Sequence, residues 1–214
     1  MIEIDLAFPH SYEIEELTEL PGTGNVGVPL LYFPRPKTRP EHDGLWLKIR
    51  VKGGSSWIGV FAFGYGSPPA FSRVVSLPDP DRACIVSRGA AYIVKADDAN
   101  SWEQIPIVPV LDLRLIPEHE FLVFADFTRL AAYGRNGLAW RSPRVCWDEL
   151  KILNVTIDTI EGVGYDPTNL GESRFAVDAR TGRTLLPVPT STTENHCGRK
   201  FVLHNSHYYD SCGE

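Results

Sequence analysis

The segment "VLDLRLIPEHEFLVFADFTRLAAYGRNGLAWRS", residues 110–142, consists of four short apolar runs separated by turn residues. Pro117 and Glu118 lie in the first turn, and Asn136-Gly137 is a dipeptide typical of hairpin turns. Each run is shorter than an ordinary helix and is bounded by residues that favour turns. The segment therefore predicts one antiparallel unit of four strands.

Two neighbouring segments show the same order of strands and turns. The unit before it covers residues 73–107, and the unit after it covers residues 150–186 with an insertion at "DPTNLGES". The three units start at Arg73, Leu111 and Leu150, which are 38 and 39 residues apart. A period of about 40 residues with four strands per unit is the period of β-propeller blades.

The third unit ends in "FAVDARTGRTLL", residues 175–186. This ending resembles that of a quinoprotein-type propeller blade, in which an Ala-x-Asp-x-x-Thr-Gly turn precedes an outer strand. The resemblance extends over residues 71–187 and implies a blade-like order of strands; it implies no cofactor. We expect Asp178 and Thr181 to accept turn amides, Gly182 to adopt a positive φ, and Trp140 to cover the neighbouring sheet.

The predicted fold is a single all-β domain of antiparallel, four-stranded, propeller-like units. A hairpin over residues 45–63 is also predicted, since "LWLKIRV" alternates apolar and polar residues and "GGSS" follows it. Three units and one hairpin fall short of a ring of about four blades. Either the N-terminal segment supplies a degenerate fourth blade, or the strands form a β-sandwich or an open stack of sheets. The β domain is placed at residues 45–190, and residues 191–214 form a polar tail.

Residues 1–44 are predicted to be a looped N-terminal segment with one short helix. In "SYEIEELTEL", Tyr12, Ile14, Leu17 and Leu20 have a spacing that one or two helical turns accommodate. The later segment "FPRPKTRPEHDG" contains three prolines, which remove backbone donors, and it is predicted to be an extended surface loop.

Charge and composition restrict the classes of partner. The chain has 214 residues, a formal net charge of −6 and no basic cluster. Binding to nucleic acid or to an anionic membrane normally requires a surface rich in Lys and Arg, so neither partner is expected. The N-terminus is acidic and no apolar run is long enough to span a bilayer. These features predict a cytoplasmic protein with a protein partner.

The sequence contains no recognisable catalytic constellation. The acidic pairs at residues 97–98, 118–120 and 148–149 fall in predicted turns, whereas general acid/base catalysis needs carboxylates that converge across a cleft. The "GTGNVG" segment at residues 22–27 matches a dinucleotide fingerprint only as text, because Pro29 follows where a helix would have to begin. Catalytic residues are therefore predicted to be absent.

A metal site is an alternative at the C-terminus. Thiol and imidazole side chains cluster there at Cys197, His204, His207 and Cys212, and zinc accepts this ligand set. The paired Cys-x-x-Cys knuckle is missing, so the expectation is that no cofactor binds and zinc is the alternative. Cys84 and Cys146 lie in strand-like runs and are predicted to be buried structural thiols.

Aromatic and arginine side chains near turns suggest a binding surface. These residue types contribute most of the binding energy in protein interfaces. The candidate binding residues are Trp57, Tyr65, Trp102, Tyr133, Arg135, Trp140 and Arg141. For each tryptophan alone, packing between sheets is the favoured interpretation, whereas the set of residues near loops favours an interaction surface. The leading hypothesis is a non-enzymatic protein-interaction module, and the alternatives are an enzyme or carbohydrate-binding protein with an aromatic cleft and a zinc-stabilised module.

Overall fold

The computed structural model describes residues 2–19, 27–35, 42–64, 71–168, 170–185, 192–194 and 200–202. In these ranges the chain forms strands, and its one helical segment is a single 3-10 turn at Pro117–His119. The strands are β1 (Glu3–Asp5), β2 (Tyr12–Glu16), β3 (Leu30–Phe33), β4 (Gly44–Val51), β5 (Ser56–Ala62), β6 (Arg73–Ser76), β7 (Arg82–Ser87), β8 (Ala90–Lys95), β9 (Trp102–Gln104), β10 (Asp112–Ile116), β11 (Phe121–Ala125), β12 (Leu130–Gly134), β13 (Gly137–Arg141), β14 (Asp148–Val155), β15 (Thr159–Asp166), β16 (Gly171–Asp178), β17 (Thr192–Glu194) and β18 (Lys200–Val202). The fold is all-β, as predicted.

The strands form four principal sheets that follow one another along the chain. The first sheet has the order β2-β4-β5-β3, and the second has the order β1-β6-β7-β8-β9. The third sheet is β10-β11-β12-β13, the fourth is β14-β15-β16, and β17 pairs with β18 in a separate hairpin. Most neighbouring strands are antiparallel, whereas β1 runs parallel to β6 and β3 runs parallel to β5.

Each principal sheet packs face to face against the sheet that follows it in sequence. The first interface, between the first and second sheets, includes Leu47, Ile49 and Phe61 packed with Ile85 and Tyr92. The second interface joins the second and third sheets, with members Cys84, Ile93, Leu113, Phe124 and Tyr133. The third interface joins the third and fourth sheets, with members Val123, Trp140, Ile152, Ile160 and Phe175. In the described part of the chain, no apolar cluster joins the first sheet to the fourth.

The N-terminal segment contributes strands to two sheets. The prediction of a helix over residues 11–20 is wrong for the described part of that range, because Tyr12–Glu16 is strand β2. Tyr12 and Ile14 face the first interface while Glu13 and Glu15 alternate with them, and the strand pairs with β4 over its whole length. This period of two fits a strand with one buried face. Together with β3, it completes the first sheet around the predicted hairpin of β4 and β5.

Side-chain hydrogen bonds connect successive sheets. The indole Nε1 of Trp57 donates to the Ala96 carbonyl at 2.7 Å, and that of Trp140 donates to the Ala179 carbonyl at 3.1 Å. Arg73 Nη1 donates to the Leu113 carbonyl at 3.1 Å. The bonded residues are 39, 39 and 40 positions apart, close to the spacing between the starts of the predicted units.

Candidate functional site

The structure distributes the aromatic candidates over all three interfaces between sheets. Trp57, Tyr133 and Trp140 are only 5%, 3% and 7% exposed. Trp102 is half-buried and meets the ring of Phe33 edge-on at 5.5 Å. These four side chains therefore pack between sheets, and the structure does not bring them together into one surface.

The two arginine candidates lie on the surface of the third sheet. Arg135 is exposed and approaches Glu120 at 3.4 Å, and the exposed Arg141 donates to the Pro106 carbonyl at 3.5 Å. Tyr65 lies outside the described residues. The proposed zinc ligands Cys197, His204, His207 and Cys212 also lie outside them, and the described ranges contain no group of three or more potential metal ligands.

The two described cysteines are buried, as predicted. Burial raises the pKa of the Cys146 thiol to about 12 and also raises the pKa of the Cys84 thiol above its ordinary value. A thiol held neutral in this way is a poor nucleophile and a poor metal ligand. Both thiols therefore contribute to packing, Cys84 in the second interface and Cys146 in the third.

The carboxylates of two turn residues accept backbone donors of their own turns. Asp178 Oδ1 accepts the amides of Arg180 and Thr181 and the Thr181 hydroxyl. The hydroxyl bond and these amide bonds lower the pKa of Asp178. Asp126 Oδ1 accepts two amides in the same manner, from residues 128 and 129. These carboxylates stabilise turns, which is the role expected for Asp178.

The fourth sheet has one face in the third interface and one face directed away from the stack. Ile152, Gly162 and Phe175 form a cross-strand row, and the two apolar side chains of that row pack in the interface. Because side chains alternate between the two faces of a strand, the neighbouring rows point the opposite way. The outward rows are Asn154, Glu161 and Ala176, then Lys151, Val163 and Arg174, then Asp148, Tyr165 and Glu172.

This outward face and its loops expose several large apolar side chains. Five of the ten large apolar side chains exposed in the described residues fall between positions 153 and 185: Leu153, Ile157, Tyr165, Leu170 and Leu185. Leu153 occupies an irregularity of β14 opposite Glu161 and is 66% exposed. Leu185 is 51% exposed, and its amide donates to the Ala176 carbonyl, which places it at the far end of the same row.

This surface differs from the binding residues predicted from the sequence, which are aromatic and arginine side chains near turns. The signal present in the sequence was the alternation of β14 and β15, in which Lys151 and Glu161 mark the outward side of the strands. Leu153 lies two residues after Lys151 and shares its outward side, while the shift in register moves Asn154 opposite Glu161 as well. A strand irregularity of this kind is not recognisable from residue types alone.

Comparison with known proteins assigns the chain to no family. No family model and no curated protein matches the chain. Among solved structures, the chain is similar to the N-terminal domain of Nup159, with 12% sequence identity and a TM-score of 0.36. The match covers 86% of this chain and 53% of that domain, so the chain spans about half the length of the structure it matches. In the described residues, no helix is long and apolar enough to cross a membrane.

Proposed function

We propose that the chain is a protein-interaction module that binds a partner protein on the outward face of its fourth sheet. The observation that carries this proposal is the exposure of two leucines on this face: Leu153, next to the row of Asn154, Glu161 and Ala176, is 66% exposed, and Leu185, at the far end of that row beside the buried Ala176, is 51% exposed. Exposed apolar groups that lie together on one surface mark interaction sites more often than scattered ones do.

The surroundings of the row fit a protein partner. Lys151 and Arg174 lie in the adjacent row, and Glu161 lies between the leucines, so the apolar side chains are interspersed with charges of both signs. Non-obligate protein interfaces mix apolar and polar groups in this way. A nucleic acid would select cations alone, and the net charge of −6 opposes it.

The packing between successive sheets indicates how a partner would contact the fourth sheet. Each of the three interfaces is formed by two sheets packed face to face, and among the described residues the fourth sheet contributes its inner face to the third interface. A partner that presents an apolar face with complementary charges would continue the stack. Binding rather than catalysis is the proposed activity, since Asp126 and Asp178 are committed to turn amides.

The test uses three forms of the full chain as bait in an extract of the native host: wild type, Leu153→Asp/Leu185→Asp, and Leu138→Asp. Leu138 is the matched control because it is 52% exposed and lies on β13 of the third sheet. Proteins enriched by the wild type are identified by mass spectrometry. Each is then produced separately, and its affinity for the three baits is measured.

We expect one recovered protein to bind the wild type and Leu138→Asp equally and the double variant at least about tenfold more weakly. Inserting charges into the centre of an interface costs more than 1 kcal/mol per hot-spot residue. Equal binding to all three baits would overturn the assignment of this surface. Failure to enrich any protein would overturn the interaction function itself. Thermal melts of the three baits verify that each is folded.

A further inference from the structure

A cleft opens at the opposite end of the stack from the fourth sheet, where the first sheet meets the second. Its volume is about 470 Å³. It lies beside the start of β5, the segment before β3 and the β8-β9 loop, and its lining includes Leu31, Arg35, Ser55, Ser56, Trp57 and Asn100. Ligand sites of this kind typically measure about 300 to 1,000 Å³.

Arg35 is the charged residue in the described lining of the cleft. Its Nη2 donates to the Ala99 carbonyl and to Asn100 Oδ1, each at 3.1 Å. The guanidinium carbon lies 5.3 Å from the centre of the Phe33 ring, within range of a cation–π contact. These contacts fix the guanidinium between the two sheets. Both hydrogen bonds to described residues use Nη2, which is one of the three guanidinium nitrogens.

The remaining lining divides into polar and apolar parts. Ser55 and Ser56 supply hydroxyl groups at the start of β5, while Leu31 and Trp57 supply apolar surface. Trp57 is held in place because its indole nitrogen donates to the Ala96 carbonyl at 2.7 Å. The cleft therefore combines a fixed cation, two hydroxyls and an apolar wall.

Carboxylates close to the cleft are engaged elsewhere. Asp98 Oδ1 accepts the amide of Asn100, and Asp97 pairs with Lys95 at 3.1 Å. Neither aspartate belongs to the lining. An anion that enters the cleft would thus meet Arg35 without a carboxylate in the described lining to repel it.

We propose that this cleft binds a small organic anion, with its carboxylate or phosphate group on Arg35 and its apolar body against Leu31 and Trp57. Arginine has a planar arrangement of donors that matches the oxygens of both anionic groups. The serine hydroxyls donate to the same oxygens. This inference is independent of the protein-binding surface, which lies on the fourth sheet.

The experiment is a titration of the full chain, labelled with ¹⁵N, with phenyl phosphate, phenylacetate and the neutral analogue benzyl alcohol. The readouts are the indole N–H signal of Trp57, assigned with Trp57→Phe, and the amide signals of Ser55, Ser56 and Asn100. We expect saturable shifts of these signals with at least one of the two anions, and affinity for that anion at least about tenfold higher than for benzyl alcohol. The two anions distinguish a phosphate ligand from a carboxylate ligand.

Variants then test the role of Arg35. Arg35→Gln is expected to lower the anion affinity at least about tenfold, whereas Arg114→Gln, which removes an exposed guanidinium from β10 of the third sheet, should leave the affinity unchanged. The absence of saturable shifts, equal affinity for benzyl alcohol, or full affinity in Arg35→Gln would each overturn the proposal. The comparison of anions with benzyl alcohol uses the wild type, so it decides the question even where a variant does not fold.

Discussion

Gly182 occupies a position that only glycine can fill. Its φ is +70°, and a Cβ atom there would overlap the ring of Trp140 in the third interface. Both features follow from the Asp-x-x-Thr-Gly turn, because the Asp178 carboxylate closes the turn and brings Gly182 beneath the indole. The sequence predicted this turn and the packing of Trp140 on the neighbouring sheet.

We expect Gly182→Ala to lower the free energy of unfolding by about 2–4 kcal/mol, as measured by urea denaturation. The cost combines the strain of a positive φ, about 1–2 kcal/mol, with overpacking against Trp140. Gly137→Ala is the control, since Gly137 has φ +92° and a Cβ there would have nothing within 4 Å. Gly137→Ala should therefore lower the free energy of unfolding only by the strain contribution of about 1–2 kcal/mol. Equal losses in the two variants would show that the indole moves aside without cost.

Because the Cys146 thiol is buried, we expect the free energy of unfolding to decrease at alkaline pH. Because burial raises its pKa to about 12, the thiol stays neutral in the folded chain while it ionises in the unfolded chain above about pH 8.5. The unfolded state is therefore favoured as the pH rises from about 9 towards 12. At pH 10.5 this effect corresponds to about 2–3 kcal/mol.

Urea denaturation of the reduced protein at pH 7 and pH 10.5 measures this effect. The loss of stability between the two pH values should be about 2–3 kcal/mol smaller in Cys146→Ala than in the wild type. Val145→Ala, a truncation of the adjacent buried side chain, should lower stability at both pH values and leave the difference unchanged. If Cys146→Ala lost as much stability between pH 7 and pH 10.5 as the wild type does, the Cys146 thiol would not remain neutral in the folded state.

The strands that the sequence predicted best are those whose pairing is local. β4 and β5 form the expected hairpin, and β10 to β13 follow the four runs of residues 110–142. Their turns contain Gly, Pro or Asn, and the chain needs only to fold back on the preceding strand. β3 was missed because it pairs parallel to β5, and the sequence near Leu30 carries no local signal of that partner.

For the candidate sites too, the sequence does not show which distant residue a side chain contacts, as the indole and guanidinium groups illustrate. Trp57 and Trp140 were candidates for a binding surface, and each instead donates to a carbonyl 39 residues further along the chain. Residue type shows that an indole needs a hydrogen-bond acceptor, but it does not show whether that acceptor belongs to the chain or to a partner. The sequence did not predict a role for Arg35 for the corresponding reason, since its partners Ala99 and Asn100 lie in the loop between β8 and β9, 64 and 65 residues away.

Arg73, on β6, connects β1 to its neighbouring strand within the second sheet and connects the second sheet to the third. Its Nη2 lies 2.7 Å from Glu3 and 3.0 Å from Asp5 on β1, while Nη1 donates to the Leu113 carbonyl on β10. The Arg73 side chain is 17% exposed, so these interactions are less screened by solvent than those of an exposed pair.

We expect Arg73→Met to lower the free energy of unfolding by about 2–3 kcal/mol, because it leaves the Asp5 carboxylate and the Leu113 carbonyl without their donors. Arg50→Met is the control, since the Arg50–Glu13 pair is 52% and 61% exposed and should contribute less than about 1 kcal/mol. Urea denaturation measures both losses. Similar losses in the two variants would mean that Arg73 contributes no more than an ordinary surface pair.

The four principal sheets form a linear arrangement of contacts. Each of the three interfaces belongs to one pair of successive sheets, and within the described ranges no buried residue is shared between the first interface and the third. The sequence predicted four-stranded units but left a ring, a sandwich and an open stack as alternatives. That choice depends on the angles between sheets, which residue spacing does not determine.

A linear arrangement predicts that stability is distributed unevenly along the chain. In proteins built from units that contact only their neighbours, a weakened interface opens the adjacent unit before the distant ones. Ile160→Ala, in the third interface, removes a fully buried side chain at a cost of about 2–5 kcal/mol. We expect it to speed amide hydrogen exchange in β14–β16 and to leave the rates in β4 and β5 unchanged.

Ile49→Ala, an equally buried truncation in the first interface, is the reciprocal variant and should speed exchange in β2, β4 and β5 while leaving β14–β16 unchanged. Hydrogen exchange monitored by mass spectrometry under native conditions measures both patterns in the full chain. Because both variants delete the same atoms from sites that are 0% exposed, a difference between them reports the position of the interface rather than the chemistry of the change. Equal acceleration throughout all four sheets in both variants would show that they unfold as one cooperative unit, and the contacts within the second interface would then have to couple the two ends.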